Sequence, residues 1–254
     1  MIALIPVAGY ATRLYPLTEH TPKALLEIAG KPLMDHVVDK ILELGVVKKI
    51  VVVSNHKFAA QFQTWAGKRK KSVPIPIVVL DDGTDSNENR LGAIGDAQFA
   101  IEHAAIDDDV LWVLGDNLFS FSITPAFEFF KTKQADVIAC FDVKDFSEAQ
   151  KMGIVTLNSQ HRVTGFVEKP SNPPSTLCSI GIYLYTRATV KQIKHYLNTG
   201  HLPDKPGEFV SWLYREKPVY GYVYNQPTDE WFDIGTLETL ESVRKKYAKK
   251  KQRI

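Results

Sequence analysis

"LMDHVVDKILELGVVKKIVVVSN" (residues 33–55) sets two hydrophobic periods side by side. In residues 33–45 the apolar positions recur at helical spacing, and Gly45 closes the run. "KKIVVVSN" (48–55) is then a nearly continuous apolar run, the pattern of a strand buried on both faces. The alternation extends in both directions. Before it, "IALIPV" (2–7) reads as a buried strand. After it come a helix through Phe58, Phe62 and Trp65, a third strand "IPIVVL" (75–80), a helix "GAIGDAQFAIEHA" (92–104) and a fourth strand "DVLWVLGDN" (109–117). Apolar strands alternating with helices predict an α/β fold of Rossmann-like type, a mostly parallel mixed sheet with helices on both faces.

The second half changes character. "ADVIACFDV" (135–143), "GIVTLN" (153–158), "RVTGFVEKP" (162–170), "STLCSIGIYLYT" (175–186) and "PVYGYVYN" (218–225) are alternating or aromatic strands with fewer helices between them. They predict extra, partly antiparallel strands that extend the sheet or cover its carboxyl edge. Further helices are expected at 189–198, 207–217 and 236–251. No Pro/Gly/Ser linker, repeat or low-complexity tract divides the 254 residues. The chain reads as one domain, 1–254, with a nucleotide-binding half to about residue 120 and an acceptor half after it.

Bulk properties exclude several classes. Against 31 Lys and Arg stand 29 Asp and Glu, so the net charge of +2 does not point to nucleic acid as partner. The basic run Lys245–Arg253 reads as a solvated helix end. Cys140 and Cys178 lie in apolar strands, too far apart for a zinc site, and read as buried free thiols. No run reaches transmembrane length and Met1–Val7 is too short for a signal peptide, so the expectation is a cytoplasmic protein with no membrane partner. A homo-oligomer is compatible with all of this.

In such sheets ligands bind outside the carboxyl ends of the strands, which selects the loops after Val7, Leu80 and Leu114. The first, "AGYATRLYPLTEHTPK" (8–23), is long for a compact domain. Small residues at Ala8, Gly9 and Ala11 let backbone N–H groups approach a phosphate, Thr12 adds a hydroxyl, and Arg13 and Lys23 add fixed positive charge. Neither GxxxxGK[ST] nor GxGxxG is present, which disfavours P-loop NTPases and dinucleotide-binding dehydrogenases. Asp116, in "LGDN", stands just past an apolar strand, where a carboxylate suits Mg²⁺. Asp233, in "EWFDIGT", is a second such carboxylate beside Trp231. "GFVEKP" ends a strand with Glu168 and Lys169, whose side chains diverge so that one meets hydroxyls and the other a phosphate. The histidines, His36 and His103 expected in helices and His20 and His56 in loops among them, receive no role. Phe127, Phe129 and Phe130 read as helical core rather than as a cage for a cationic ligand.

Taken in order, these segments resemble the sugar-1-phosphate nucleotidylyltransferases. "AGYATRLYPLTEHTPKALLEIAGKPL" is similar to that family's signature, and "GDN", "EKP" and "WFDIGT" to its later motifs, over Ile2 to about Glu241. The resemblance implies Mg²⁺-dependent transfer of a nucleoside monophosphate from an NTP to a sugar 1-phosphate, releasing pyrophosphate. It implies that Arg13 and Lys23 serve catalysis and that Ala8, Gly9, Tyr10, Ala11, Thr12 and Arg13 lie against the nucleotide; Asp81, Asp82 and Gly92 are further nucleotide-binding candidates. Asp116 and Asp233 would hold Mg²⁺. Asn117, Gly153, Glu168, Lys169, Gly181 and Trp231 would bind the sugar phosphate. Three departures are visible. Ala11 replaces a common Gly. The region after Leu80, "LDDGTDSNENRLGAIGD", lacks the Gln that thymidylyl and uridylyl members use to read the base. The chain also lacks a β-helical acyltransferase extension, so bifunctionality is not expected. A pyrimidine triphosphate is favoured, UTP or dTTP ahead of CTP. Two alternatives stand: a cytidylyltransferase acting on phosphocholine or another non-sugar phosphate, and a catalytically silent regulatory homologue.

Overall fold

The computed structural model of the chain describes residues 1–251. The first half follows its hydrophobic periods. β1 (Ile2–Pro6) is followed, after the long loop, by a small hairpin of β2 (Glu27–Ile28) and β3 (Lys31–Pro32), then α1 (Leu33–Leu42) and β4 (Lys49–Ser54). α2 (His56–Arg69), β5 (Ile77–Asp81), α3 (Ala93–His103), β6 (Val110–Val113), β7 (Asn117–Phe119) and α4 (Thr124–Lys133) complete it. The second half contains β8 (Asp136–Asp142), α5 (Phe146–Ala149), β9 (Gly153–Leu157), β10 (Val163–Glu168) and β11 (Leu177–Tyr185). It ends with α6 (Arg187–Val190), α7 (Gln192–Asn198), α8 (Pro206–Glu216), β12 (Val219–Tyr224), β13 (Trp231–Asp233) and α9 (Leu237–Lys251). The end of the basic run, Arg253 included, lies outside the described residues.

Nine strands form one mixed sheet. β6, β1, β4 and β5 are parallel neighbours, so their carboxyl ends share one edge. β11 then runs antiparallel to β6 and to β8, β9 and β10 continue antiparallel beyond its first residues, and β12 adds parallel to β8. The second-half strands therefore extend the sheet. Alternate residues of β1 feed opposite faces, as the twofold period of a strand requires. Ala3 and Ile5 join the core under α1, α2 and α4, while Ile2 and Leu4 join the core under α3, α7 and α8. Phe62 and Trp112 are fully buried, one on each face. Truncating such an aromatic to Ala costs about 3–5 kcal/mol. The single fully buried acid among the polar core residues, Asp136, is satisfied by Lys217 at 2.9 Å, Thr189 Oγ1 at 2.6 Å and Thr186 N at 2.8 Å.

Three details differ from the expected elements. The run 109–117 is not one strand: it breaks after Val113, where Gly115 packs so closely on Val7 and Ile5 that a Cβ would collide with them. Asn117 instead starts β7, which pairs antiparallel with β13 in a separate ribbon. His56 opens α2 rather than lying in a loop. Phe130 is buried and Phe127 and Phe129 pack partly buried against the same core, as their spacing predicts. Cys140 and Cys178 are buried free thiols, and burial raises the pKa of both. No helix among the described residues is long and apolar enough to cross a membrane.

Candidate active site

At the carboxyl edge of the parallel strands lies a cavity of about 470 Å³. The first loop forms much of its wall, from Ala8 through Arg13 and again at Lys23, with Gly92 and Asp116 from elsewhere. The loop has little apolar surface to bury, and polar contacts hold it at three points. Asn55 donates Nδ2 to the Ala8 carbonyl at 2.8 Å while its Oδ1 caps α2 through Phe58 N. Tyr10 donates its hydroxyl to the Thr84 carbonyl at 3.1 Å. Thr18 donates Oγ1 to the Ala11 carbonyl at 2.8 Å. Ala11 is left-handed, with φ of 48° and ψ of 42°, a region that disfavours a residue with a Cβ. That turn starts the one-turn 3₁₀ helix Thr12–Leu14 and so sets the direction of Arg13. Gly9 meets nothing: a Cβ there would have no protein atom within 4 Å. Packing of the chain therefore does not explain a glycine at this position, whereas a ligand lying against the backbone would.

The charged end of the cavity is assembled from distant segments. Lys23 Nζ is 2.7 Å from Asp116 Oδ2. The β7–β13 pairing sets Asp233 opposite Asn117, and Ile234 N donates to the Asp116 carbonyl at 3.1 Å, which brings the two carboxylates into one neighbourhood. Burial first, and the Asp116 charge second, raise the pKa of Asp233, while Lys23, Arg13 and Lys169 oppose that rise. Arg13 reaches the same place, since a Cβ on Gly235 would lie 3.7 Å from its guanidinium and 3.5 Å from Asp233 Oδ2. Two acids and three cations from four segments thus act on one another, and of these Arg13, Lys23 and Asp116 line the cavity. No group of three or more His, Cys, Asp and Glu with metal-binding spacing occurs among the described residues. A donor set of two carboxylates fits an ion such as Mg²⁺, which completes its shell with water and phosphate oxygens.

On the acceptor side, Glu168 stands opposite Gly153 in the β9–β10 ladder, and a Cβ on Gly153 would lie 3.0 Å from Glu168 Oε2. Burial raises the Glu168 pKa, against the pull of Lys169 and Lys205. Lys169 has a left-handed φ of 48°, so its side chain leaves the strand end in a different direction from that of Glu168. Asn117 is buried, with Oδ1 accepting from Trp231 Nε1 at 3.1 Å, and Gly181 presses on its amide. Asn117 thus holds Trp231 and is itself packed by Gly181; none of the residues expected to bind the sugar phosphate, Asn117, Gly153, Glu168, Lys169, Gly181 and Trp231, lines this cavity.

The segment after β5 departs most from the expected placement. Asp81 and Asp82 do not line the cavity. Asp81 turns to His56 Nδ1 at 2.7 Å and accepts from Gly83 N, while Asp82 Oδ1 accepts from both Thr84 N and Thr84 Oγ1 at 2.7 Å. The wall is made instead by Gly92, Asp96 and Arg90, with Asp204 from the loop before α8. Gly92 has φ of 78°, and a Cβ would collide with the backbone of Pro203, whose carbonyl accepts from Ile94 N at 2.8 Å. Sequence reasoning missed Asp96, Arg90 and Asp204, which belong to no motif. It also missed Asn55, although Asn before a helical run is a recognisable N-cap.

Comparison with known proteins shows the family. A family model described as nucleotidyl transferase matches residues 2–250. UTP–glucose-1-phosphate uridylyltransferase AglF of Haloferax volcanii is 32% identical over 188 residues, 74% of this chain and 73% of that protein. The bifunctional protein GlmU of Methanocaldococcus jannaschii is 28% identical over 235 residues, 92% of this chain and 51% of that one. The chain thus spans about half the length of some relatives and nearly three quarters of another. A crystal structure of UDP-glucose pyrophosphorylase complexed with UDP-glucose superposes with a TM-score of 0.82 at 20% identity, covering 98% of this chain and 100% of that one, and shares the fold. The chain belongs to the nucleotidyl transferase family, among the sugar-1-phosphate nucleotidylyltransferases that its motifs resemble.

Proposed function

We propose that the protein transfers a nucleoside monophosphate from an NTP to a sugar 1-phosphate, with a pyrimidine triphosphate, UTP or dTTP ahead of CTP, as donor and Mg²⁺ as cofactor. The observation that carries this reading is the placement of Arg13, Lys23 and Asp116 on the wall of the cavity, with Asp233, off that wall, under the charges of Asp116, Lys23, Arg13 and Lys169. Residues to about 120 would hold the nucleotide, and the later strands the acceptor. Glu168 would accept from sugar hydroxyls and Lys169 would meet the sugar phosphate.

The chemistry requires little of the protein beyond positioning and charge. A phosphate monoester has a second pKa of about 6, so at neutral pH the attacking oxygen is already ionised and needs no general base. That agrees with the histidines: His36 is held by the Ile28 carbonyl and His103 by the Phe99 carbonyl, away from the cavity. An oxygen of the sugar phosphate attacks the α-phosphorus, and pyrophosphate leaves in line. Arg13 and Lys23 would neutralise the triphosphate, and Lys169 would hold the incoming anion against its repulsion. When bound by Asp116 and Asp233, Mg²⁺ would supply further neutralisation of phosphate oxygens.

The test is pyrophosphate release with Mg²⁺, screened over UTP, dTTP, CTP, GTP and ATP against a panel of sugar phosphates and amino-alcohol phosphates. Release with UTP or dTTP and a hexose 1-phosphate is expected. Release only with CTP and phosphocholine would replace the acceptor in this reading, and nucleotide binding without release from any pair would make the chain a silent sensor.

A further inference from the structure

The cavity's other end holds an acid that the transfer reaction does not use. Asp96, in the first turn of α3, is 4% exposed and lines the cavity. Its Oδ1 and Asp82 Oδ2 are both buried, and neither finds an N–H or O–H donor among the described residues. The two carboxyl groups act on each other's charge, and two buried oxygens that no donor reaches favour a proton on one of them. Burial, then the Asp82 charge, and more weakly that of Asp204, push Asp96 up to about 8. Asp82 Oδ1 is already engaged by Thr84, so its Oδ2 is the atom left for the shared proton.

A buried acid kept for packing has a different environment in this chain: Asp136 has Lys217 and two threonines around it. Asp96 has no such cation. The charges that act on it are those of Asp82 and Asp204; Asp81, the last residue of β5, acts in turn on Asp82, while Asp82, Asp85 and Glu88 act on Tyr10 of the first loop. Arg90, on the same wall, is engaged bidentately by Asp204 at 3.1 and 3.3 Å. On the far side of α3, the Lys194 of α7 pairs with Glu102. The first turn of α3 is also fixed in place, because the carbonyls of Pro203 and Asp204 accept from Ile94 N and Ala93 N.

We propose that Asp96 reads the nucleobase: one carboxyl oxygen shares a proton with Asp82, and the other accepts a hydrogen bond from an N–H of the base. This rests on the nucleotide reading above and adds to it the residue that stands in for an amide side chain in base recognition. The shared proton leaves the pair with one negative charge instead of two, which matters beside an anionic triphosphate. The accepting oxygen suits the imino N–H of uracil or thymine and the exocyclic amine of cytosine alike, and nucleotide competition separates them.

The experiment is calorimetric binding of UTP, dTTP, CTP, GTP, ATP and inorganic pyrophosphate to the full chain and to Asp96→Ala and Asp96→Asn, between pH 6 and 9. Asp96→Ala is expected to lower affinity for the preferred NTP about tenfold by leaving a buried donor of the base unpaired. Pyrophosphate, which has no base, should bind it as it binds the wild type. Asn places an N–H where the shared proton sits and a carbonyl toward the base. Asp96→Asn should recover most of the loss at pH 7 and should lack the weakening that the wild type shows as pH rises past about 8. An Asp96→Ala protein of unchanged melting temperature that keeps the wild-type order of NTP affinities would overturn the assignment. So would Asp96→Asn with the wild-type alkaline decline, a comparison that stands even if the alanine variant fails to fold. Loss of pyrophosphate release with binding intact breaks the transferase reading alone.

Discussion

Two pairs of acids each place one member on the wall of the cavity, Asp116 and Asp96, and their neighbours make the pairs opposites. Asp116 and Asp233 sit among Lys23, Arg13 and Lys169, and those cations work against the burial that raises Asp233. Asp82 and Asp96 have no cation, and burial with mutual repulsion lets Asp96 keep a proton. The lesson is that an acid pair is read by what surrounds it: with cations it is a charged centre suited to phosphate chemistry, and without them it is a neutral hydrogen-bonding edge. The first loop connects the two, presenting Arg13 at one end and Tyr10 at the other.

The largest expected effect comes from removing a cation at the charged end. Lys23→Ala should lower turnover by about 100-fold or more, the loss seen when one preorganised charge partner of a transition state is deleted. Its folding should change little, because Lys23 and Asp116 are both partly solvated. Steady-state pyrophosphate release together with a melting curve checks this. A near wild-type rate would take Lys23 out of the site and erase the contrast between the two pairs.

Next comes the pH dependence of stability at the other pair. The unfolded chain releases the Asp96 proton above about pH 4, whereas the folded chain keeps it to about 8. Between those values the folded state binds more protons, so stability falls as pH rises through the window. Asp96→Asn has no proton to lose. Its stability relative to wild type should climb from pH 4 to 8 and level off, a rise on the order of 5 kcal/mol at about 1.4 kcal/mol per pKa unit. Denaturant midpoints at pH 4, 6 and 8 decide it. A constant difference between the two proteins would mean that Asp96 is ionised in the fold and that the two pairs are alike.

Much of this was legible in the sequence. The apolar runs of β1, β4, β5 and β6 and the helical period of α1 gave the parallel sheet, because local period and buried strand pattern are properties of contiguous residues. The first loop was legible because its residues act within one stretch. What escaped depends on distant pairing. β7 and β13 are three residues each, too short to show a period, yet their pairing is what sets Asp233 beside Asp116. Asp96 looks in sequence like an ordinary first-turn acid of a helix. Only the course of the segment after β5, which folds Asp82 under it, makes it a wall of the cavity. Asp81, the neighbouring acid, turns to His56 for the same reason: successive residues leaving a strand point opposite ways.

Gly9 gives a smaller effect that separates ligand from scaffold. Since a Cβ there meets no protein atom, Gly9→Ala should leave the melting temperature unchanged while weakening NTP binding about tenfold. Equal affinity for UTP in both proteins would show that the ligand does not approach this backbone.

Ala11 two residues later should behave in the reverse way, with the smallest effect of the set. Its left-handed conformation is imposed by the turn into Thr12–Leu14 and held by the Thr18 hydroxyl at 2.8 Å. A residue with a Cβ pays roughly 1 kcal/mol or more for that region, and glycine does not. Glycine, however, loses about 0.4–1 kcal/mol more in backbone entropy on folding than alanine. The two terms nearly cancel, and Ala11→Gly should gain about 0.5 kcal/mol, roughly 1–2 °C in melting temperature for a chain of this size. Because Thr18 and Tyr10 still hold the loop, Arg13 keeps its direction, and turnover should stay within about twofold. A destabilised Ala11→Gly protein would mean that the strain is relieved elsewhere in the turn. A large fall in turnover would mean that the stiffness of alanine, rather than the hydrogen bonds, aims the arginine at the charged end.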